Sequence, residues 1–395
     1  MNSVNQDKAT ARKRIPVAGP LITEADVAMV ADATRTNWYE NWNEYIAKFE
    51  ASVAAYCGVK HAIAVPHATS ALHLAFAVAG LKAGDEVIVP DVTWIASVAP
   101  VYQTGAHAVL VDITPDTWCI DPAAVERAIT PRTKAILGVD LYGSMCDWKA
   151  LRAIADKHNL TLIEDAAESL GSKLDGAPAG SLGDMAVLSF HGSKTVTCGE
   201  GGMLLTNNAE LFKRALFLRD HGRTSIAGKY QVFYNSEIAF KYKMSALQAA
   251  LGYSQMQRID QLIAHKRQTF FWYQERLGGR NGVQINVEPE GVYNCFWMPT
   301  VVVDKSFGLT KTDLMAAMDE RGIDTRPFFT PLSTMPAFAD QPAAMRHANE
   351  NVVSAETSLY AINLPSSAQT TEADADYVCR SLLEILEGTR LARTA

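Results

Sequence analysis

The chain has 395 residues, 48% of them hydrophobic and 20% charged, which is a soluble composition with enough apolar mass for one or two domains. A net charge of −7 argues against a nucleic-acid or anionic-membrane binder. No apolar run approaches the roughly 20 residues that span a bilayer.

The opening stretch "MNSVNQDKATARKR" (1–14) is polar, with no apolar segment behind its charges, so it reads as a loose tail and not as a signal peptide. From about residue 60, short apolar runs alternate with helical stretches. "HAIAVP" (61–66) leads into "TSALHLAFAVAG" (69–80), an Ala/Leu-rich helix stopped by Gly80. "DEVIVP" (85–90) precedes a helical "WIASVAPVYQTG" (94–105), and "HAVLVD" (107–112) precedes "DPAAVERAI" (121–129). "KAILGVD" (134–140) precedes "DWKALRAIADKH" (147–158), capped by Asp147. "LTLIED" (160–165), "MAVLSF" (185–190) and "GMLLTN" (202–207) complete the run. The strands are continuously apolar, as in a sheet covered on both faces, and their alternation with helices predicts an α/β fold with a mostly parallel sheet. The last two strands are joined by a glycine-rich link with no helix, which predicts one antiparallel member.

The stretch 244–277 reads as a long amphipathic helix bridging to a second unit. Beyond it come a strand ("NCFWMPTVVV"), a helix ("KTDLMAAMDERG"), a loop and a terminal helix ("ADADYVCRSLLEILEG"). The expected division is a tail over 1–14, a large domain over 15–255 and a smaller C-terminal α+β domain over 256–395. Six scattered cysteines without a CxxC pair suggest free thiols, no metal site and a reducing cytoplasm.

The stretch "SFHGSKTVTCGEGGMLLTNN" (189–208) places Lys194 just after a strand, with glycines behind it. Asp165 ends another buried strand, where α/β sheets place ligands. Thr69-Ser70 open a helix directly after a strand, which suits a phosphate but also an ordinary N-cap. Trp94 stands at a third corner, either as a ligand cover or as a core aromatic. Taken together they supply what pyridoxal phosphate needs: a lysine amine for a Schiff base, a carboxylate for the ring nitrogen, a helix N-terminus for the phosphate and a flat aromatic cover.

The motifs "VPHATSALHLA", "GDEVIVPDVTWIAS", "VDLYG", "IEDAAESLGS", "GSLGDMAVLSFHGSKTVTCGEGGMLLTN" and "TRPFFTPLSTMP" resemble the DegT/DnrJ/EryC1/StrS family of sugar aminotransferases from about Ile15 to the last helix. The resemblance implies the type I fold of pyridoxal-phosphate-dependent transferases and a homodimer with shared sites. It implies that Lys194 carries the cofactor and shuttles the proton, that Asp165 pairs with the ring nitrogen, and that Trp94 stacks on the ring. Ala68, Thr69 and Ser189 would hold the phosphate, and Glu168 would face the 3-hydroxyl or the ring. Lys241 stands where relatives usually have Asn reaching the partner's phosphate. Asn43 stands where they have Gly in a turn, and Ala68 replaces a common Gly. His191, Arg326, His221, Arg223 and Trp42 are candidates for substrate contact, and Trp38 and Tyr39 flank the last of these.

The implied reaction moves an amino group from an amino acid, L-glutamate in most of the family, to a keto sugar for cell-surface polysaccharide. "YIAKFE", "VDLYG", "EDAAESLGSK" and "RPFFTPLSTMP" look most like the perosamine-synthase-like members, which aminate C4 of a GDP-linked 4-keto-6-deoxymannose. The alternatives are a transaminase for the 8-oxo form of 3-deoxy-manno-octulosonate and a dehydratase or lyase on the same fold. Lys194 favours transamination, because dehydratase relatives carry histidine there.

Overall fold

A computed structural model describes residues 14–226 and 229–394, so the expected tail lies outside the described residues except for Arg14. Strands β1 (His61–Val65), β2 (Glu86–Pro90), β3 (His107–Val111), β4 (Thr133–Val139), β5 (Thr161–Asp165), β8 (Met185–Ser189) and β9 (Gly202–Thr206) form one seven-stranded sheet. The two-residue strands β6 (Lys173–Leu174) and β7 (Ala177–Pro178) stand apart from it. The order is β1-β9-β8-β5-β4-β2-β3. β9 runs antiparallel to both neighbours, and the pairs β8/β5, β5/β4, β4/β2 and β2/β3 are parallel. Every residue of β2, β8 and β9 is buried, as the apolar runs require of a sheet covered on both faces.

Helices α1 (Glu24–Thr36), α2 (Glu44–Cys57) and α3 (Ala68–Val78) precede β2, and α3 follows directly from β1. The expected single helix over 244–277 is two helices, Ala246–Met256 and Ile259–Leu277. The break falls at Arg258, which turns inward so that its guanidinium donates to the buried carboxylate of Asp26 at 2.6 Å. The expected helix over 94–105 is a 3-10 turn at Ile95–Ser97 followed by a short helix, Ala99–Gln103, with Pro100 in its first turn.

In "NCFWMPTVVV" only Thr300–Val303 is strand. Phe296 adopts a left-handed φ of 50° and Pro299 has no N–H to give a ladder, so residues 294–299 leave the sheet. That strand joins Val283–Ile285, Ala361–Asn363 and Arg326–Pro327 in a second, antiparallel sheet. A separate apolar cluster packs there around Phe270, Phe296, Val301, Leu314 and Leu382. The main cluster surrounds the seven-stranded sheet.

Two local expectations change. Asn43 has φ −106°, so it is not a left-handed turn residue; the positive φ in this segment is at Tyr39. Residues 190–201 between β8 and β9 form a longer loop than a tight link, and its glycines act differently from one another. Gly199 takes φ +79°. A Cβ on Gly202 would lie 2.5 Å from the Ala68 nitrogen and the His67 carbonyl carbon, so this glycine lets β9 pass against the start of α3.

All six cysteines are free and buried. Cys119, Cys146 and Asp140 bring potential metal ligands within 4.8 Å of one another. Asp140 is already engaged there, accepting from the Cys146 N–H, the Trp148 indole and the Ser169 hydroxyl. No helix among the described residues is long and apolar enough to cross a membrane.

Candidate active site

β1, β2, β4, β5 and β8 all point the same way, and a cavity of about 740 Å³ opens where their chains leave the sheet. This is the carboxyl edge, where open α/β sheets bind ligands. Ala68 and Thr69 line it from the first turn of α3, whose leading N–H groups have no intrahelical acceptor. Ser189 lines it from the end of β8 and Trp94 from the turn after β2. Trp94 is 58% exposed, which leaves much of its ring free to cover a ligand.

Asp165 is the last residue of β5 and is buried. The Ser97 hydroxyl donates to it at 2.7 Å and the Ala167 N–H at 3.1 Å. Burial pushes its carboxyl up to about 6; those two donors and the nearby Lys194 act in the opposite direction. A positive charge beside this carboxylate would therefore be strongly welcome.

Lys194 enters from the loop after β8, with its N–H bonded to the His191 carbonyl at 2.9 Å. Its Nζ lies 3.2 Å from Glu168 Oε1 and 3.6 Å from the centre of the Trp297 ring. Glu168 is buried in an irregular turn, not exposed on a helix, and its other oxygen accepts from the Tyr142 N–H at 2.9 Å. His191 and Arg326 complete the lining; His191 lies 3.0 Å from the Ser193 hydroxyl and 3.6 Å from Glu200.

The cavity thus brings together Ala68, Thr69, Trp94, Asp165, Glu168, Ser189, His191, Lys194 and Arg326. Trp42, Lys241, His221 and Arg223 do not line the cavity of their own chain. Lys241 is 56% exposed beside Asp220 at 3.6 Å, Arg223 pairs with the same aspartate, and the Trp42 ring lies 3.5 Å beneath Lys243 Nζ. His221 has a left-handed φ of 65°.

Two contacts were not legible from the motifs. Ser97 lies three residues beyond Trp94, and its role is visible only through Asp165. Trp297 belongs to the stretch read as strand, and the left-handed turn at Phe296 carries it under the lysine.

The donor set fits pyridoxal phosphate: a buried carboxylate, an amine, a helix N-terminus flanked by hydroxyls and an open aromatic ring meet in one cavity. The family model for DegT/DnrJ/EryC1/StrS aminotransferases matches residues 20–383. The chain belongs to this family. It is a pyridoxal-phosphate-dependent aminotransferase with the type I transferase fold.

A GDP-perosamine synthase from Caulobacter vibrioides is 39% identical over 94% of this chain and 98% of its own. Among solved structures, the sugar aminotransferase named Spr1654 from Streptococcus pneumoniae, in its PMP form, superposes with a TM-score of 0.89 at 25% identity, covering 97% of this chain and 100% of that one. DesI, solved in the presence of its TDP-sugar product, gives 0.87 at 30% identity over 97% and 95% of the two chains.

Proposed function

We propose that this enzyme transfers the amino group of L-glutamate to C4 of a GDP-linked 4-keto-6-deoxyhexose. The observation that carries the reading is the 39% identity with GDP-perosamine synthase across nearly the full length of both proteins. The cavity suits it, being large enough for a sugar beside the cofactor and lined by the polar groups His191, Ser193, Glu200 and Arg326.

When bound, pyridoxal phosphate supplies an aldehyde that receives the amino group and a ring that takes up electrons from the donor's Cα–H bond. Asp165 keeps a proton on the ring nitrogen. The Ala68 and Thr69 amides, with the Thr69 and Ser189 hydroxyls, would hold the phosphate, and Trp94 would cover the ring. Lys194 moves the proton at the reacting carbon in both halves.

Purified enzyme with L-glutamate and GDP-4-keto-6-deoxymannose is expected to release 2-oxoglutarate and an amino sugar of matching mass. Turnover only of 8-oxo-3-deoxy-manno-octulosonate, or ketone formation without glutamate consumption, would replace this reading.

A second copy of the chain completes the site in this reading. Trp38 and Tyr39, at 55% and 94% exposure, form an aromatic patch that is unusual on a free surface. Trp42 of the same segment lies under Lys243 Nζ, which is pushed down to about 8 by burial, with Asp220 opposing the shift and Arg219, Lys241 and Arg223 adding positive charge. Such a cluster suits a phosphate held by the partner subunit, with Lys241 reaching it as a point charge. Sedimentation is expected to give a dimer, and Lys241→Ala a dimer with about ten-fold weaker cofactor binding. Unchanged cofactor affinity would remove Lys241 from the phosphate site.

A further inference from the structure

Transamination requires Lys194 to part from the cofactor while the substrate's nitrogen takes its place, so the freed amine needs somewhere to go. Its Nζ meets Glu168 Oε1 at 3.2 Å and the Trp297 ring centre at 3.6 Å. A carboxylate and an aromatic face both attract an ammonium, and here they do so from the same small space.

Both partners are firmly held. Glu168 is buried, and its Oε2 is fixed by the Tyr142 N–H. Tyr142 is itself buried in left-handed backbone, φ 55°, a conformation that a non-glycine residue keeps only where its surroundings enforce it. One such restraint is its phenol oxygen, which accepts from the Phe329 N–H at 3.2 Å. Trp297 is buried and anchored twice. Its indole N–H donates to the Ser193 carbonyl at 3.0 Å, and its own carbonyl accepts from buried Lys266 at 3.1 Å. The Ser193 contact also ties the ring to the residue next to Lys194.

We propose that Glu168 and Trp297 form a parking site that holds the released Lys194 as an ammonium between its two attachments to the cofactor. This rests on reading Lys194 as the cofactor's lysine. The site keeps the amine, and the proton it has taken from the substrate carbon, against Glu168 and Trp297 and not loose in a cavity open to water. Glu168 and Trp297 are positioning residues that act through Lys194. The role also gives a reason for the strained Tyr142 backbone, which aims one N–H at the carboxylate.

The enzyme loaded with pyridoxamine 5′-phosphate has an unattached Lys194. A brief pulse of acetic anhydride modifies neutral amines, and peptide mass spectrometry reads Lys194 against exposed Lys60 and Lys134. At neutral pH, Glu168→Gln is expected to raise Lys194 labelling about ten-fold, since the charge is lost while an acceptor for Tyr142 remains. Trp297→Leu should raise it about three-fold and Trp297→Phe less. At about pH 11, where most lysines are neutral, the excess should vanish; a merely loosened pocket would keep it. Labelling of Glu168→Gln within two-fold of wild type, or an excess that persists at high pH, overturns the parking site, even if Trp297→Leu fails to fold. No donor or sugar enters the experiment, so its failure is distinct from failure of the sugar assay.

Discussion

Lys194→Ala is expected to lower kcat by about 10⁴-fold or more, with the fold unchanged. Lys194 is the one lysine that lines the main cavity among the described residues, so no neighbouring amine can substitute for it. Lysine 266, also buried nearby, is pushed down to about 7 by burial, but its Nζ is spent on the Trp297 and Ser366 carbonyls and the Ser366 hydroxyl. Lys194→Arg should be equally inactive. A guanidinium could still sit over Trp297 beside Glu168, but it stays protonated and cannot offer a neutral nitrogen. The measurement is single-turnover conversion of the cofactor by the proposed donor, glutamate, paired with borohydride treatment, which should fix the cofactor to the wild-type chain and to neither variant. Retention of more than about a hundredth of wild-type turnover by either variant would remove Lys194 from the chemistry.

Much of this site was legible because its groups sit where strands end. Asp165, Ser189 and Thr69 each follow a recognisable apolar run, and the sheet brings such ends to one edge whatever the details of its packing. The antiparallel β9 was legible too, since its link to β8 has no helix-like stretch; that β9 would lie between β1 and β8 was not, because strand order depends on pairings far apart in sequence. The misread elements have tertiary causes. The helix break at Arg258 comes from an ion pair with Asp26, more than two hundred residues earlier. Trp297 was hidden because left-handed backbone at an aromatic residue has no sequence signal, and because a β-rich composition favours reading 294–303 as one strand. Asn43 was assigned a left-handed turn role because relatives carry Gly there and Asn tolerates that backbone, whereas the segment takes its positive φ at Tyr39.

Asp165→Asn is expected to lower kcat by about 10³-fold while making the cofactor-free protein more stable at pH 8. The two effects have one cause. In the cofactor-free protein, burial outweighs the nearby Lys194 and pushes the carboxyl from an ordinary value of 3.8 up to about 6. A carboxyl raised on folding contributes stability fully below its unfolded value and loses that contribution as pH rises through 6. At pH 8 the ionised group in the empty site therefore costs about 2 kcal/mol relative to pH 4. Asparagine carries no charge and removes that cost, but its one carbonyl oxygen replaces two carboxylate oxygens that accept from Ser97 and Ala167, which forfeits about 1 kcal/mol. The net expectation is a thermal midpoint a few degrees above wild type at about pH 8 and at or below wild type at about pH 4. The buried acids Asp140 and Glu164 titrate in both proteins, so their contributions cancel in the difference. Cofactor should reverse the order at pH 8, because a protonated ring nitrogen satisfies the aspartate and gives asparagine nothing. Thermal melts at the two pH values, with and without pyridoxal phosphate, read all four cases. A difference between variant and wild type that is the same at both pH values would mean that Asp165 is not held ionised against its surroundings for the cofactor's sake. Near-normal turnover by the variant would mean that the ring nitrogen takes its proton from another group.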